Sequence, residues 1–436
     1  MTKQLIFTAA MLVTLTVFAF SMRKYFLYFR FTKPVKLEKF PKRFRSLFAV
    51  AFGQTKILRQ PVIGLLHAFV YWGFMIILFG SVEMAIDGIF GTERVFSHLG
   101  SIYDVFIAGG DIFGLIIAIS ILIFLFRRLF LHVKRFYGTE MKPVSKADAN
   151  IALSFIFLLM VTLVGMNTFY LLDVREAGHE AAGVYPISNY LTSYFSQLPL
   201  NQIYFWHEFN WWAHILLIFI FANILPYSKH FHVFMSVPNV FVSSVEPLGK
   251  LETMESIRKE VSLMLNPNAQ LSNDNQNVIP KFGVSDVDDV SWVNYFNALS
   301  CTECGRCTAV CPANITGKLL SPRKIMMDVR ARMKEKGPGL VKEGIGFSDG
   351  KSLLGGYISE EELWACTLCN ACAQECPVNI NQPSIILNMR RYLVLEKSSA
   401  PSGLNTVFTN IENNGAPWQF SSQDRLKWAE EIYING

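Results

Sequence analysis

Eight cysteines are the residues of this sequence best suited to chemistry, and their spacing says which chemistry. Cys301, Cys304, Cys307 and Cys311, followed by Pro312, read C-x2-C-x2-C-x3-C-P, and Cys366, Cys369, Cys372 and Cys376, followed by Pro377, repeat that pattern residue for residue. In bacterial two-cluster ferredoxins, three thiolates of such a motif hold one cubane and the fourth ligates the other cluster. The spacing therefore predicts one [4Fe–4S] cluster on Cys301, Cys304, Cys307 and Cys376, and a second on Cys366, Cys369, Cys372 and Cys311. Structural zinc rarely uses a third cysteine at this spacing with a Cys-Pro step, and disulfides do not persist in a reducing cytoplasm. Two cubanes need eight thiolates, so none of the eight is left for a further centre.

The eight histidines fall between His67 and His232. An imidazole inside an apolar run is informative, because polar groups are rare there. His67 is about two turns into one such run, His214 is inside another, and His232 is just past that run's inner end. His214 and His232 are 18 residues apart. On a continuous helix that is ~5 whole turns and a rise of ~27 Å, close to the hydrocarbon thickness of a bilayer. The two therefore share a face if the helix continues past Pro226, which suits two cofactors stacked across a membrane. His67 and His232, at matching depth on facing helices, can clamp one haem iron axially. The outer site has His214 but no evident partner. His98, His207 and His230 read as packing groups, and His132 and His179 as solvated loop residues.

These residues need elements to position them. Of 436 residues, 51% are hydrophobic and 17% charged, which excludes a disordered chain and is unusual for a wholly soluble one. Five apolar runs are long enough to span a bilayer: Leu5–Met22, Pro61–Val82, Ile102–Phe126, Asn150–Leu172 and Phe205–Pro226. Residues 1–240 carry 21 Lys and Arg against 12 Asp and Glu, and the remainder 19 against 22. The positive excess is therefore a membrane feature and not a nucleic-acid footprint. Eleven basic residues, Arg23 to Arg59, separate the first two runs, and six, Arg127 to Lys146, separate the third from the fourth. Both loops should face the cytoplasm, placing the N-terminus outside and the cysteines inside. The first run lacks a signal peptide's basic leader and cleavage site. Residues 235–290 read as a linker with a helix near Glu252–Met264 and a polar loop, NPNAQLSNDNQN. Between the cysteine motifs, SPRKIMMDVRARMKEK reads as helix and the glycine-rich GPGLVKEGIGF as loop; beyond them, SIILNMRRYLVLEK reads as helix. The expected fold is mainly α: a five-helix transmembrane bundle binding haem b over residues 1–234, the linker, and a helical two-cluster ferredoxin domain over residues 291–436.

With these residues laid out, a resemblance emerges. The five runs and HILLIFIFANILPYSKHFH, from His214 to His232, resemble the cytochrome b gamma subunit of respiratory nitrate reductase. That family binds two haems b and uses two histidines on its second helix. Here that helix has His67, and the position ten residues on is Ile77. The second half, through NMRRYLVLE and NIENNGAPWQFSSQDRLKWAEE, is similar to the iron–sulfur C subunit of heterodisulfide reductase. The combination resembles membrane-bound oxidoreductases linked to electron-transfer flavoprotein and quinone. Longer members carry cysteine-rich CCG domains, so the resemblance implies a separate CCG-bearing partner subunit.

The expected function is electron transfer between a cytoplasmic partner, such as electron-transfer flavoprotein, and membrane quinone. A bacterial inner-membrane location is implied, with no nucleic acid bound. Flow from quinol to a cytoplasmic disulfide-type reductase is an alternative, and a redox-sensing membrane anchor is another. Glu83, Asp87, His98 and Asp111 lie towards the outer side and are expected to face water.

Overall fold

The computed structural model describes residues 1–266 and 281–434. The expected polar loop, residues 266–277, lies outside the described residues apart from Asn266. Among the described residues there is no strand, only isolated bridges of Lys33 with Ser291 and of Leu354 with Ile358.

Five helices are long and apolar enough to cross a membrane: Thr2–Phe29, Pro61–Phe90, Ser101–Leu129, Pro143–Glu176 and Leu200–Tyr227. All five outrun the apolar runs in the sequence because helix formation does not stop at the edge of the hydrocarbon. Pro61 and Pro143 open their helices, where a missing N–H costs nothing. The bundle is built from second-to-third, third-to-fourth and fourth-to-fifth pairs, with the first span against the second and fifth. Its polarity is inverted relative to a soluble protein. Leu12, Phe20, Val62, Val105 and Phe126 are exposed, whereas Glu83, Asp111, Ser120, Asn167 and His214 are buried. That arrangement is stable only if the surroundings are apolar.

The fifth helix does not continue to His232 as a single cylinder. It is α-helical over Leu200–Ile224, tightens into a 3-10 turn at Leu225–Tyr227, breaks at Ser228, and resumes as α-helix at His232–Val242. Ser228 is extended and its hydroxyl accepts the His230 N–H (3.0 Å), while Asp148 on the fourth span accepts the Lys229 N–H at 3.0 Å. These bonds replace those a continuous helix would make. His214 and His232 therefore do not share one helix face, and the expectation of an unbroken 18-residue stack is corrected.

Beyond Val284 the chain folds into a helical domain whose core reaches into the membrane bundle. Tyr28, Phe231 and Met235 are buried with Tyr295, Ile325, Met333, Ile385 and Met389. Phe29 packs edge-on against Tyr295, with centroids 4.9 Å apart, and Tyr25 stacks on Phe231 at 4.8 Å. The Pro322–Glu343 helix takes in the first seven residues, 337–343, of the glycine-rich segment expected to be a loop, and the remaining four are not helical. Gly337 explains why: a Cβ there would lie 2.7 Å from the Tyr28 ring, so the glycine marks close packing on the first span. The helix ends at Gly344, with φ of 88°. The expected helices at Glu252–Met264 and over SIILNMRRYLVLEK appear as Glu255–Leu265 and Gln382–Lys397.

Candidate functional site

Each cysteine motif builds the same loop. Two residues after the first cysteine, and one after the second, the backbone is left-handed: Glu303 (φ 57°) and Gly305 (φ 75°) in one motif, Leu368 (φ 53°) and Asn370 (φ 60°) in the other. Three of these four are not glycine, so a tertiary constraint holds them there. Such turns direct backbone N–H groups inward and create a concavity suited to an anion. Leu368 N–H points at Cys366 Sγ (3.4 Å) and Ile380 N–H at Cys376 Sγ (3.3 Å). A matching arginine braces each loop: Arg330 donates to the Cys301 carbonyl at 3.0 Å, and Arg390 donates to the Cys366 carbonyl.

The two motifs interlock. Cys307 lies within electrostatic reach of Cys304, Cys301 and Cys376, and Cys376 of Cys304 and Cys301. Cys311, Cys366, Cys369 and Cys372 line one common pocket. The fourth cysteine of each motif thus sits with the first three of the other. Among the described residues no group of three or more His, Cys, Asp or Glu is close enough to hold a single metal ion, and all eight cysteines are free thiols. Burial pushes the Cys301 thiol up to about 11 and the Cys372 and Cys376 thiols up to about 12. Such thiols ionise only when a cationic core arrives, so loading releases protons. This donor set fits [4Fe–4S] clusters.

The first cysteine set lies against the membrane bundle. Lys56, just ahead of the second span, donates to the carbonyls of Cys376 (3.3 Å) and Ala373 (3.5 Å), and Arg59 to that of Gln374 (3.1 Å). In return Arg306, next to Cys307, donates to the Lys56 carbonyl at 3.2 Å. Glu303 forms buried ion pairs with Lys229 (3.4 Å) and Arg330. Burial alone would raise the Glu303 carboxyl, but Arg330 and Lys229 hold it below the usual range.

Near the start of the second span His67, His230 and His232 come within electrostatic reach of one another, and Arg306 is within reach of His67. The His230 and His232 rings are 5.6 Å apart. His232 Nδ1 lies 3.2 Å from the Lys229 carbonyl, a contact that assigns the proton to Nδ1 and leaves Nε2 with a lone pair. His67 Nδ1 is buried with no hydrogen-bond partner, which is costly unless something else occupies that ring. Burial lowers the pKa of His232, and burial with the neighbouring His232 and Lys229 brings that of His230 down to about 3, so both stay neutral, the ligating form. These imidazoles fit axial ligation of haem. His230, expected to be a packing group, is part of this cluster; only its place beyond the helix break puts it there.

His214 is buried elsewhere, with Nδ1 2.9 Å from Thr162 Oγ1. His207 packs beside Tyr170 at 6.3 Å, His132 stacks on Tyr137 at 4.2 Å, and the His98 ring lies 2.7 Å from the Val95 carbonyl. Two acids expected to face water do not: Glu83 and Asp111 are each 1% exposed. Glu83 accepts from Phe96 N–H (2.9 Å) and Tyr103 Oη (3.1 Å), and Arg94 lies 3.8 Å away. Asp111 accepts from Ile187 N–H (2.7 Å), Ser188 N–H (3.0 Å) and the Ser188 hydroxyl. Segments between the second and third spans and between the fourth and fifth fold back over the bundle and supply the donors that make these burials tolerable.

A family model described as a 4Fe-4S dicluster domain matches residues 300–380. The second half of the chain carries a 4Fe–4S ferredoxin-type domain. The chain is 27% identical over 427 residues to the probable iron-sulfur-binding oxidoreductase FadF of Bacillus subtilis, covering 90% of this chain and 56% of that protein. It is 27% identical over 423 residues to the EtfAB:quinone oxidoreductase of Syntrophomonas wolfei, covering 90% and 55%. A shorter likeness, 32% over 104 residues, covers 24% of this chain and 50% of the C subunit of a heterodisulfide reductase of Methanosarcina acetivorans. The chain therefore spans little more than half the length of the first two relatives. No solved structure matches the chain. The likeness to the first two proteins takes in the membrane bundle as well as the dicluster domain, since it covers nine-tenths of the chain.

Proposed function

We propose that this chain is the membrane electron-transfer subunit of an oxidoreductase that moves electrons between a cytoplasmic flavoprotein partner and membrane quinone. The observation that carries it is the contact between Lys56, at the entrance to the second span, and the carbonyl of Cys376, together with Arg306, next to Cys307, within electrostatic reach of His67. The name of one relative that matches most of the chain, EtfAB:quinone oxidoreductase, supports the quinone and flavoprotein ends of this reading, and that of the other, an iron-sulfur-binding oxidoreductase, supports electron transfer.

Cys301, Cys304, Cys307 and Cys376 would hold the membrane-proximal cluster, Cys311, Cys366, Cys369 and Cys372 the distal one, and His67 with His232 a haem b. When bound, these groups exchange single electrons. The chain's own residues do the rest. Arg330 and Arg390 fix the loop carbonyls, the neutral imidazoles offer lone pairs, and the buried cores exclude water. Cys369 is exposed while Cys301, Cys307 and Cys376 are buried, so the distal set is the one a soluble partner can approach. The basic residues Arg23 to Arg59 and Arg127 to Lys146 argue for a cytoplasmic dicluster domain and an outer N-terminus in a bacterial inner membrane. The likeness to the C subunits of heterodisulfide reductases favours a second reading, in which electrons leave quinol for a cytoplasmic disulfide-type reductase.

The test is a dithionite-reduced minus oxidised spectrum of the purified full chain. A b-type haem band alongside bleaching of iron–sulfur absorbance is the expected result; iron–sulfur bleaching with no haem band overturns the haem-mediated version.

A further inference from the structure

Three guanidiniums meet where the third span ends against the dicluster domain. The centroid of the Phe136 ring lies 5.6 Å from Arg127 Cζ and 5.5 Å from Arg135 Cζ. Arg306 joins them from the first cysteine motif. A Cβ on its neighbour Gly305 would stand 2.7 Å from the Arg135 carbonyl oxygen, and Arg306 itself donates to the Lys56 carbonyl at 3.2 Å. Arg306 lies within electrostatic reach of Arg127 and of His67, so the group borders the imidazole cluster.

Protein carboxylates do not balance these charges. Among the described residues none of the three arginines forms an ion pair. Arg306 is only 7% exposed, and Arg135 Nε is buried with no hydrogen-bond partner. Arg135 feels Cys304 and Glu375, but the charge that Arg127 feels is that of Arg306. Like charges gathered away from water repel one another and are costly without anionic partners. The planar forks of arginine match carboxylates best.

Haem b carries two propionate carboxylates on one edge of its ring, and hydrocarbon does not accommodate them unpaired. We propose that Arg306, Arg127 and Arg135 form the carboxylate subsite of a haem b ligated by His67 and His232, so that the bundle and the dicluster domain share one haem pocket. This rests on the haem-mediated reading above and adds a second set of contacts to it, one of them from the domain that carries the clusters. The imidazoles would hold the iron and the guanidiniums the ring edge. The guanidiniums would also favour reduction, since the ferrous centre carries one positive charge less.

The experiment uses the purified full chain, with haem and acid-labile sulfide measured per polypeptide, an optical redox titration of the b-type band, and haem transfer to excess apomyoglobin. Arg306→Gln and Arg127→Gln should each speed haem loss tenfold or more and lower the haem midpoint potential, with sulfide content unchanged. Arg306→Lys and Arg127→Lys should recover part of both. A second loading separates carboxylate binding from damage to the fold. Full chain from haem-deficient cells, loaded with haem dimethyl ester, should lose that ester at the same rate in wild type and in both glutamine variants. Faster loss of the ester in the variants overturns the proposal, because the arginines would then act through the fold. So does haem retention at the wild-type rate in both glutamine variants, or a haem potential that moves only in Arg306→Gln, which would make that arginine a counter-ion of the neighbouring cluster alone. Wild type without any b-type haem overturns the haem-mediated reading itself.

Discussion

Lys56 Nζ lies 3.3 Å from the carbonyl oxygen of Cys376, tying the loop that enters the second membrane span to the last cysteine of the second motif. Lys56 feels the Cys376 thiol and Glu375, and Arg135 feels Cys304. Cluster potentials depend on net charge and hydrogen bonding around the sulfurs. Removing a cation beside one cluster should make that cluster harder to reduce. Lys56→Gln should therefore lower the midpoint potential of one of the two clusters and leave the other where it was. An electron paramagnetic resonance redox titration reads this directly. Equal shifts in both clusters, or none, would contradict the placement of Lys56.

The crosswise use of the fourth cysteines has its own signature. Cys376→Ala and Cys301→Ala should erase or convert the same paramagnetic signal, although the two residues belong to different motifs. Cys311→Ala and Cys366→Ala should affect the other. Loss pairing Cys301 with Cys311 would mean that each motif closes on itself.

The dicluster motif, the five spans and the helices around the motif are legible in the sequence, because spacing and periodicity are local properties. The break at Ser228 is not, because Pro226 is compatible with a kinked helix. The break is decided by Asp148, a residue on another span. The Gly337 segment reads as loop because composition cannot reveal that Tyr28 packs against it. Glu83 and Asp111 read as facing water. The signal that could have found them is the rarity of a carboxylate within an apolar helix.

A buried charge cluster holds the dicluster domain together. Arg332, 0% exposed, bridges Asp286 (2.8 Å) and Asp349 (2.6 Å), and Lys336 adds a contact to Asp286 at 3.0 Å. Replacing one partner leaves the others uncompensated. Arg332→Met should cost ~3–5 kcal/mol, the usual penalty for breaking a buried pair. Thermal loss of cluster absorbance should begin well below the wild-type temperature. A variant melting with the wild type would show that the charge cluster is dispensable.

Acid should act through the same groups. Burial alone would raise the Asp286 carboxyl, but Arg332 and Lys336 hold it below its usual value, and Glu303 is held low by Arg330 and Lys229. A carboxylate with a depressed folded pKa contributes stability that is fully present above its unfolded pKa, about 4. That contribution is lost as pH falls through the lower, folded value. Stability from these groups should be flat near neutrality and decline below about pH 4. Melting curves across that range, with Asp286→Asn flattening the acid limb, are the check.

The central claim is that electrons pass between the cysteine clusters and quinone by way of the His67 and His232 site. It is tested most directly by reducing the full chain in membrane vesicles and following the b-type haem band and iron–sulfur absorbance after quinone is added. The expected result is that quinone reoxidises both in wild type, and that His67→Ala lacks the haem band and leaves the clusters reduced. Rapid quinone-dependent reoxidation of the clusters in His67→Ala would contradict it.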